Sequence, residues 1–164
     1  MFSPIQLIID KLKHAKKLDI LAQGLHGIER ETLRVNDDLT ISQKDHPTAL
    51  GDKLTDPFIT TDFAESQLEL VTAAFETIDQ SVDSLRELHK RVIKGLDNEY
   101  IWPLSMPAVL PPDKEIIIAK FGSSLAAQEK EMYRKGLALR TGKKSQMISG
   151  IHYNFSFSDE SEIS

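Results

Sequence analysis

The sequence predicts an α+β domain, an antiparallel sheet with flanking helices, and three observations predict it. Strand-like segments at 25–35, 58–62 and 67–72 come in succession, two helical segments follow, and a last strand closes the pattern, which is not the strict βαβ alternation of a parallel sheet. The first and last of these strands alternate, so that each presents one face of a different character from the other, as antiparallel strands with one packed face do. A chain of 164 residues, 40% hydrophobic and 27% charged, is long enough for one domain with a real core.

Each element has a local reason. Ser3 is an N-cap, Pro4 suits the first helical position, Phe2 can staple against Leu7, and Ile5, Ile8, Ile9 and Leu12 make one apolar stripe, so a helix is expected over 4–18. Residues 25–35 read as a strand, with a turn at 36–38 and a short return through 39–41. Residues 42–57, with His46-Pro47, Gly51 and Asp56-Pro57, read as loop. FITTD at 58–62 and QLELVT at 67–72 follow as short strands. Thr77 with Gln80 forms a capping box, and Ile78, Val82, Leu85, Leu88, Val92 and Leu96 keep steps of three and four, which predicts a long helix over 78–97. IWPLSMPAVLPP crowds four of the seven prolines into twelve residues, so an extended apolar loop that buttresses something is expected there. Leu125, Met132, Tyr133 and Leu137, with Gly142 beyond the end, predict a third helix over about 124–140. In 146–157, Ile151, Tyr153, Phe155 and Phe157 share one face, and His152, Asn154 and Ser156 the other.

Composition excludes several classes of function. A net charge of −5 without a Lys/Arg run argues against general nucleic-acid or anionic-membrane binding. No apolar stretch reaches the roughly 18 residues of a membrane span, and no leader is evident. With no cysteine there is neither a disulfide nor a protein thiol, which suits a cytoplasmic protein. H-E-x-x-H, Gly-rich phosphate loops and the G-x-S-x-G elbow are all missing. Small molecules and metal ions are the partners left. The polar connector that begins at Asp159 suggests the opening part of something longer.

The chemistry resides in acidic side chains. Glu29 and Glu31 in GIERETLRVN lie two apart and share a strand face with Leu33 and Val35, while Glu65 and Glu69, four apart, share a side in either strand or helix. Taken singly, each is a solvated or salt-bridged glutamate with Arg30 and Arg34 at hand, and His152 taken singly is a structural histidine. If their faces line one cavity, the carboxylates repel, and a divalent cation resolves that; oxygen ligands with one imidazole suit Mg²⁺ or Mn²⁺. Phe63, Tyr133 and Leu137 would ordinarily be core.

The order of motifs then adds a resemblance. GIERETLRVN, HPTALG, ITTDFAESQLELVT, WPLSMP and MYRKGLALRTGKKSQMISGIHYN, taken together over about residues 24–155, closely resemble the amino-terminal part of the bacterial glutamate–cysteine ligase (γ-glutamylcysteine synthetase) family, which includes fused bifunctional glutathione synthetases. The resemblance implies a glutamine-synthetase-like catalytic fold, in which an antiparallel sheet forms a funnel with metal ions on its inner face. It implies ATP- and Mg²⁺-dependent joining of the γ-carboxylate of glutamate to the amine of cysteine through γ-glutamyl phosphate. On the family's pattern Glu29, Glu31 and Glu69 fall on metal-binding carboxylates, His152 on a metal-site histidine, and Asp62 on an acidic position near the metals. Phe63, Tyr133 and Leu137 fall where the family packs cysteine, with Arg134 beside them in a carboxylate-binding role. Residues 1–164 would then be the first part of one catalytic domain, inactive without the remainder that supplies the nucleotide site, and exposing apolar surface that the remainder covers. Two other readings stay open: a ligase of the same superfamily acting on another amine, and a non-catalytic module that binds a cation or a protein.

Overall fold

The computed structural model describes residues 3–14, 16 and 23–157. Helix α1 (Pro4–His14) starts as expected, with Ser3 Oγ accepting from Gln6 N at 3.2 Å. Its expected continuation to 18 is not seen at the one described residue beyond His14, because Lys16 adopts a left-handed φ of 56° that no α-helix passes through. Residues 15, 17 and 18, the Phe2 staple and the connector from Asp159 lie outside the described residues.

Strand β1 (Gly24–Val35) is the axis of the sheet. One edge pairs with β3 (Gln67–Val71), from Glu29↔Val71 to Leu33↔Gln67, and β2 (Ile59–Thr61) lies outside β3. The other edge has two partners end to end, which a strand of twelve residues, roughly 40 Å long, can accommodate. β5 (Ile151–Phe157) lies along Gly24 to Arg30, and β4 (Tyr100–Ile101) along Arg34 and Val35. All four pairings are antiparallel, as the succession of strands predicts.

Helix α2 (Ile78–Gly95) closes one face. Its capping box forms in full, with Thr77 Oγ1 accepting from Gln80 N and the Gln80 side chain returning to Thr77 N. Leu88 and Val92 then pack on Leu50, Ile59, Leu68 and Leu70. The opposite face is divided along β1: Leu33 is buried with Ile41, Phe63, Ala64, Ile116 and Met147, whereas Glu29 and Glu31 lie beyond that cluster. Trp102 and Leu110 of the proline-rich segment and Leu137 of helix α3 (Leu125–Thr141) pack against it. The proline-rich loop is thus a buttress, although its first residue, Ile101, pairs with Arg34; the prolines begin only at Pro103 and leave that amide free to join the ladder.

Two expectations need correction. Glu65 does not share a side with Glu69, because residues 65–66 form a turn and β3 starts only at Gln67, so strand parity does not reach back to it. Tyr133 is not core: α3, capped by Ser124 and ended by Gly142 at φ 76°, buries only Ala127, and Tyr133 is 65% exposed.

Candidate functional site

The uncovered half of β1 carries the acidic side chains. Strand parity turns Glu29 and Glu31 to one face, and register sets their neighbours: Glu31 opposes Glu69 on β3, Glu69 opposes Thr60 on β2, and Glu29 opposes His152 on β5. Directly opposed residues on one face stand about 5 Å apart at Cβ, so three strands deliver four of the expected site residues to one patch. Asp62, just past the end of β2, joins them, since the charge of Glu31 bears on its carboxyl.

Hydrogen bonds from the start of β5 orient the two β1 glutamates. His152 Nδ1 lies 3.3 Å from Glu29 Oε2, and Asn154 Nδ2 donates to Glu29 Oε1 at 3.0 Å. Gly150 N donates to Glu31 Oε2 at 2.7 Å while Glu31 N donates to Gly150 O at 3.0 Å, so the glycine amide meets the carboxylate where a ladder would meet the backbone carbonyl. A Cβ at Gly150 would lie 3.0 Å from His152 Nε2, which the bare glycine avoids. With Nδ1 engaged by a carboxylate, Nε2 of His152 is the ring atom left for a ligand.

Electrostatics marks the patch as strained in charge. Glu69 is pushed up to about 7, first by burial and then by Asp62, Glu29 and Glu31. Asp62 is raised too, by burial and then by Glu31. Arg134 counters both. Its Nη2 donates to Thr61 O at 3.3 Å, its Nε to Asp62 O and its Nη1 to Lys130 O at 3.0 Å, while the guanidinium lies 4.6 Å from the centroid of the Phe121 ring. Arg134 therefore carries a fixed positive charge at the rim, spending these donors on carbonyls. Among the described residues no three His, Asp or Glu side chains are drawn in tightly enough to hold a metal ion as they stand. The carboxylates are near enough to raise the proton affinity of Glu69 and Asp62 but are spread as an acidic patch rather than closed as a cage.

The remaining expected residues are divided. Phe63 is buried in the Leu33 cluster and Leu137 packs against that cluster, immediately next to the acidic half of the face. Tyr133, one turn from Leu137, stays outside it and exposed. Glu65 sits elsewhere, fully buried, accepting from His46 N, Lys120 N and Lys53 Nζ. It braces the hairpin turn and the wall of a hollow of about 360 Å³ outside the acidic face. Asn154 and Gly150 are functional candidates that sequence reasoning passed over; Asn154 was visible as the polar neighbour of His152, whereas nothing marked Gly150. A groove of about 300 Å³ runs beside Glu29 between Gly27, Val71, Thr72 and Asn154, the space next to the patch where a small molecule would lie.

Comparison with known proteins bears on the family and the fold. The family model for glutamate–cysteine ligase matches residues 9–161. A glutamate–cysteine ligase of Pseudomonas entomophila is 53% identical over 85% of this chain and 26% of its own length, and one of Clostridium acetobutylicum is 46% identical over 86% and 29%. The solved Francisella tularensis glutamate–cysteine ligase in complex with AMP superposes with a TM-score of 0.81 at 45% identity, covering 84% of this chain and 28% of that one. A bifunctional glutathione synthetase of Pasteurella multocida also gives 0.81, at 40% identity over 91% and 19%. The chain thus spans about a fifth to three-tenths of the length of these proteins. Strand order, acidic face and relatives converge, and the chain belongs to the glutamate–cysteine ligase family.

Proposed function

We propose that this chain forms the metal-binding part of an ATP-dependent ligase that joins the γ-carboxylate of L-glutamate to the amine of L-cysteine through γ-glutamyl phosphate, the first step of glutathione biosynthesis. The observation that carries the reading is the register, which places Glu31 opposite Glu69 and Glu29 opposite His152 on the half of the sheet face that the Leu33 cluster and α3 leave uncovered. The family and the AMP held by the Francisella ligase support it.

The donor set fits Mg²⁺ or Mn²⁺: four carboxylates, two of them with raised proton affinity, and one imidazole with a free Nε2 are groups that a hard divalent cation relieves of mutual repulsion. Glu29, Glu31, Asp62, Glu69 and His152 would hold it. When bound, such ions neutralise the charge that develops as a phosphoryl group passes from ATP to a carboxylate. The chain's own residues do the rest by position. Gly150 and Asn154 fix the orientation of Glu31 and Glu29, and Arg134 sets a positive charge at the rim that a substrate carboxylate would meet. Leu137, at the edge of the cluster that buries Phe63, and the exposed Tyr133 one turn away would offer the apolar surface for the cysteine side chain, with Phe63 supporting Leu137 from beneath. No protein nucleophile is needed, because the substrate carboxylate attacks phosphorus and the substrate amine attacks the acyl phosphate. The isolated chain would bind the cation without turnover, the nucleotide being held by the remainder of the ligase.

Cation binding is the direct test. Millimolar Mn²⁺ should raise the thermal midpoint of the chain, since a ligand specific for the native state stabilises it, and His152→Ala and Glu29→Gln should each weaken the affinity by about 10- to 100-fold. An unchanged midpoint in the parent chain would remove the metal site from the reading.

A further inference from the structure

Phe121 gathers positive charge. Its ring is buried, packed with Ala119, Ala127 and Leu54 between α3 and the segment before that helix. Three cations nevertheless approach it: the Arg134 guanidinium at 4.6 Å from the ring centroid, Lys130 Nζ at 5.2 Å and Lys53 Nζ at 5.6 Å. The faces of an aromatic ring are negative, and a cation within about 6 Å of the centroid is drawn to them. Lys53 is spent on Glu65, and Lys130 lies exposed on α3. Arg134 is half-buried, and it is the one on which the charges of Asp62 and Glu69 bear. A guanidinium has five N–H groups. Three of those on Arg134 go to carbonyls, Nε to Asp62 O, Nη1 to Lys130 O and Nη2 to Thr61 O. One N–H is left on each terminal nitrogen, the number that a carboxylate accepts from a bidentate arginine. The ring is anchored from the same helix as the arginine, because Phe121 N donates to Glu131 Oε1 at 2.9 Å.

We propose that Phe121 is a positioning residue: its ring seats the Arg134 guanidinium so that the two remaining N–H groups meet the carboxylate of the amine substrate, which selects an amino acid over a simple amine. The identity of that carboxylate rests on the ligase reading. The ring acts through Arg134 and does not touch the substrate. Take away its negative faces and Lys53, Lys130 and Arg134 only repel one another, so the carbonyls at residues 61, 62 and 130 must hold the guanidinium unaided. Packing alone would ask only for an apolar side chain of this size. Seating a cation asks for the electrons of the ring, and that difference can be measured.

The test compares Phe121→Leu, Phe121→Tyr and replacement of Phe121 by pentafluorophenylalanine, which keeps the shape of the ring and removes its negative faces. Hydrogen exchange at Arg134 Nε is read by NMR on the chain itself. It should be about tenfold faster in Phe121→Leu and in the fluorinated chain, and unchanged in Phe121→Tyr. The second readout is ADP release by this chain joined to the unmatched remainder of the Pseudomonas entomophila ligase, with glutamate and either cysteine or cysteamine, which has the same amine and thiol but no carboxylate. The preference for cysteine in kcat/KM should fall about tenfold in the same two variants, through the KM for cysteine, with the KM for glutamate and ATP unchanged; Phe121→Tyr should keep it. A fluorinated chain that protects Arg134 Nε as the parent does would overturn the proposal, and so would an active joined protein whose preference survives the loss of the ring. A parent joined protein that releases no ADP defeats the ligase reading instead, and the exchange at Arg134 still decides whether Phe121 positions it.

Discussion

At Glu69 partial burial, and after it three neighbouring carboxylates, push the proton affinity up to about 7 from the ordinary 4.5. A group whose proton affinity is raised by folding costs nothing below pH 4.5, where both states are protonated; the cost grows as pH rises and is complete above 7. At about 1.4 kcal/mol per unit, reduced by water over the open face, that cost is about 1–2 kcal/mol. Glu69→Gln should therefore be more stable than the parent chain by about that amount at pH 8 without divalent cations, and equal to it near pH 4.5. His46 contributes the opposite slope. Burial, then Lys53 and Arg34, lowers its ring to about 4 from 6.5, so its contribution appears as pH rises through that window. The two slopes overlap in the parent, so the quantity to measure is the difference between variant and parent in urea unfolding from pH 4.5 to 8. A flat difference would mean that neither burial nor the neighbouring carboxylates raise the proton affinity of Glu69. Adding Mn²⁺ at pH 8 should reverse the ranking, because the parent retains the full donor set.

The elements that were legible carry a strong period or a cap: α2 from its capping box and its steps of three and four, β1 and β5 from alternation. The misplaced side chains lie where no such signal exists. Asp62 to Ser66 contains no Gly, Pro or Asn, so although the two strands were read apart, nothing marked a turn tight enough to break the parity between Glu65 and Glu69. In α3 the apolar spacing is real, but coverage depends on what lies over the helix, and Tyr133 remains exposed. Helix α2 shows how one contact overrides propensity. Gly95 closes its last turn, and a Cβ there would meet Leu50 Cδ2 at 2.4 Å in the core between helix and sheet. Gly→Ala in a helix ordinarily gains about 1 kcal/mol, whereas forcing a methyl into packed side chains costs about 1–3. Gly95→Ala should thus destabilise the chain by about 1 kcal/mol, and Gly95→Ala with Leu50→Val, which gives the methyl room, should be less destabilised than the sum of the two single variants; strict additivity in thermal unfolding would exclude the contact.

Over the whole molecule, strand faces were readable from parity but strand neighbours were not. That Glu31 meets Glu69, or that Gly150 and Asn154 reach the β1 glutamates, follows from the order β2-β3-β1-β5, which no local pattern encodes. The same holds for the buried Arg34, which ties remote segments together. Its Nη1 donates to Glu99 Oε1 at 2.6 Å, and its Nη2 donates to Lys44 O at 2.6 Å and Glu65 O at 2.8 Å, with the ion-pair side chains 0% and 3% exposed. One guanidinium thereby joins β1 to the loop after it, to the β2–β3 turn and to the approach to β4. Removing one partner of a buried pair leaves the other charge uncompensated, so Arg34→Leu should cost about 3–5 kcal/mol. Arg34→Leu with Glu99→Leu removes that charge but still leaves the two carbonyls without their donor, at about 1 kcal/mol or more each. The double variant should accordingly recover only part of the loss in urea unfolding. Full recovery would show that the ion pair alone matters; no recovery would show that the carbonyls at residues 44 and 65, and the segments they belong to, are what Arg34 holds in place beneath the acidic face.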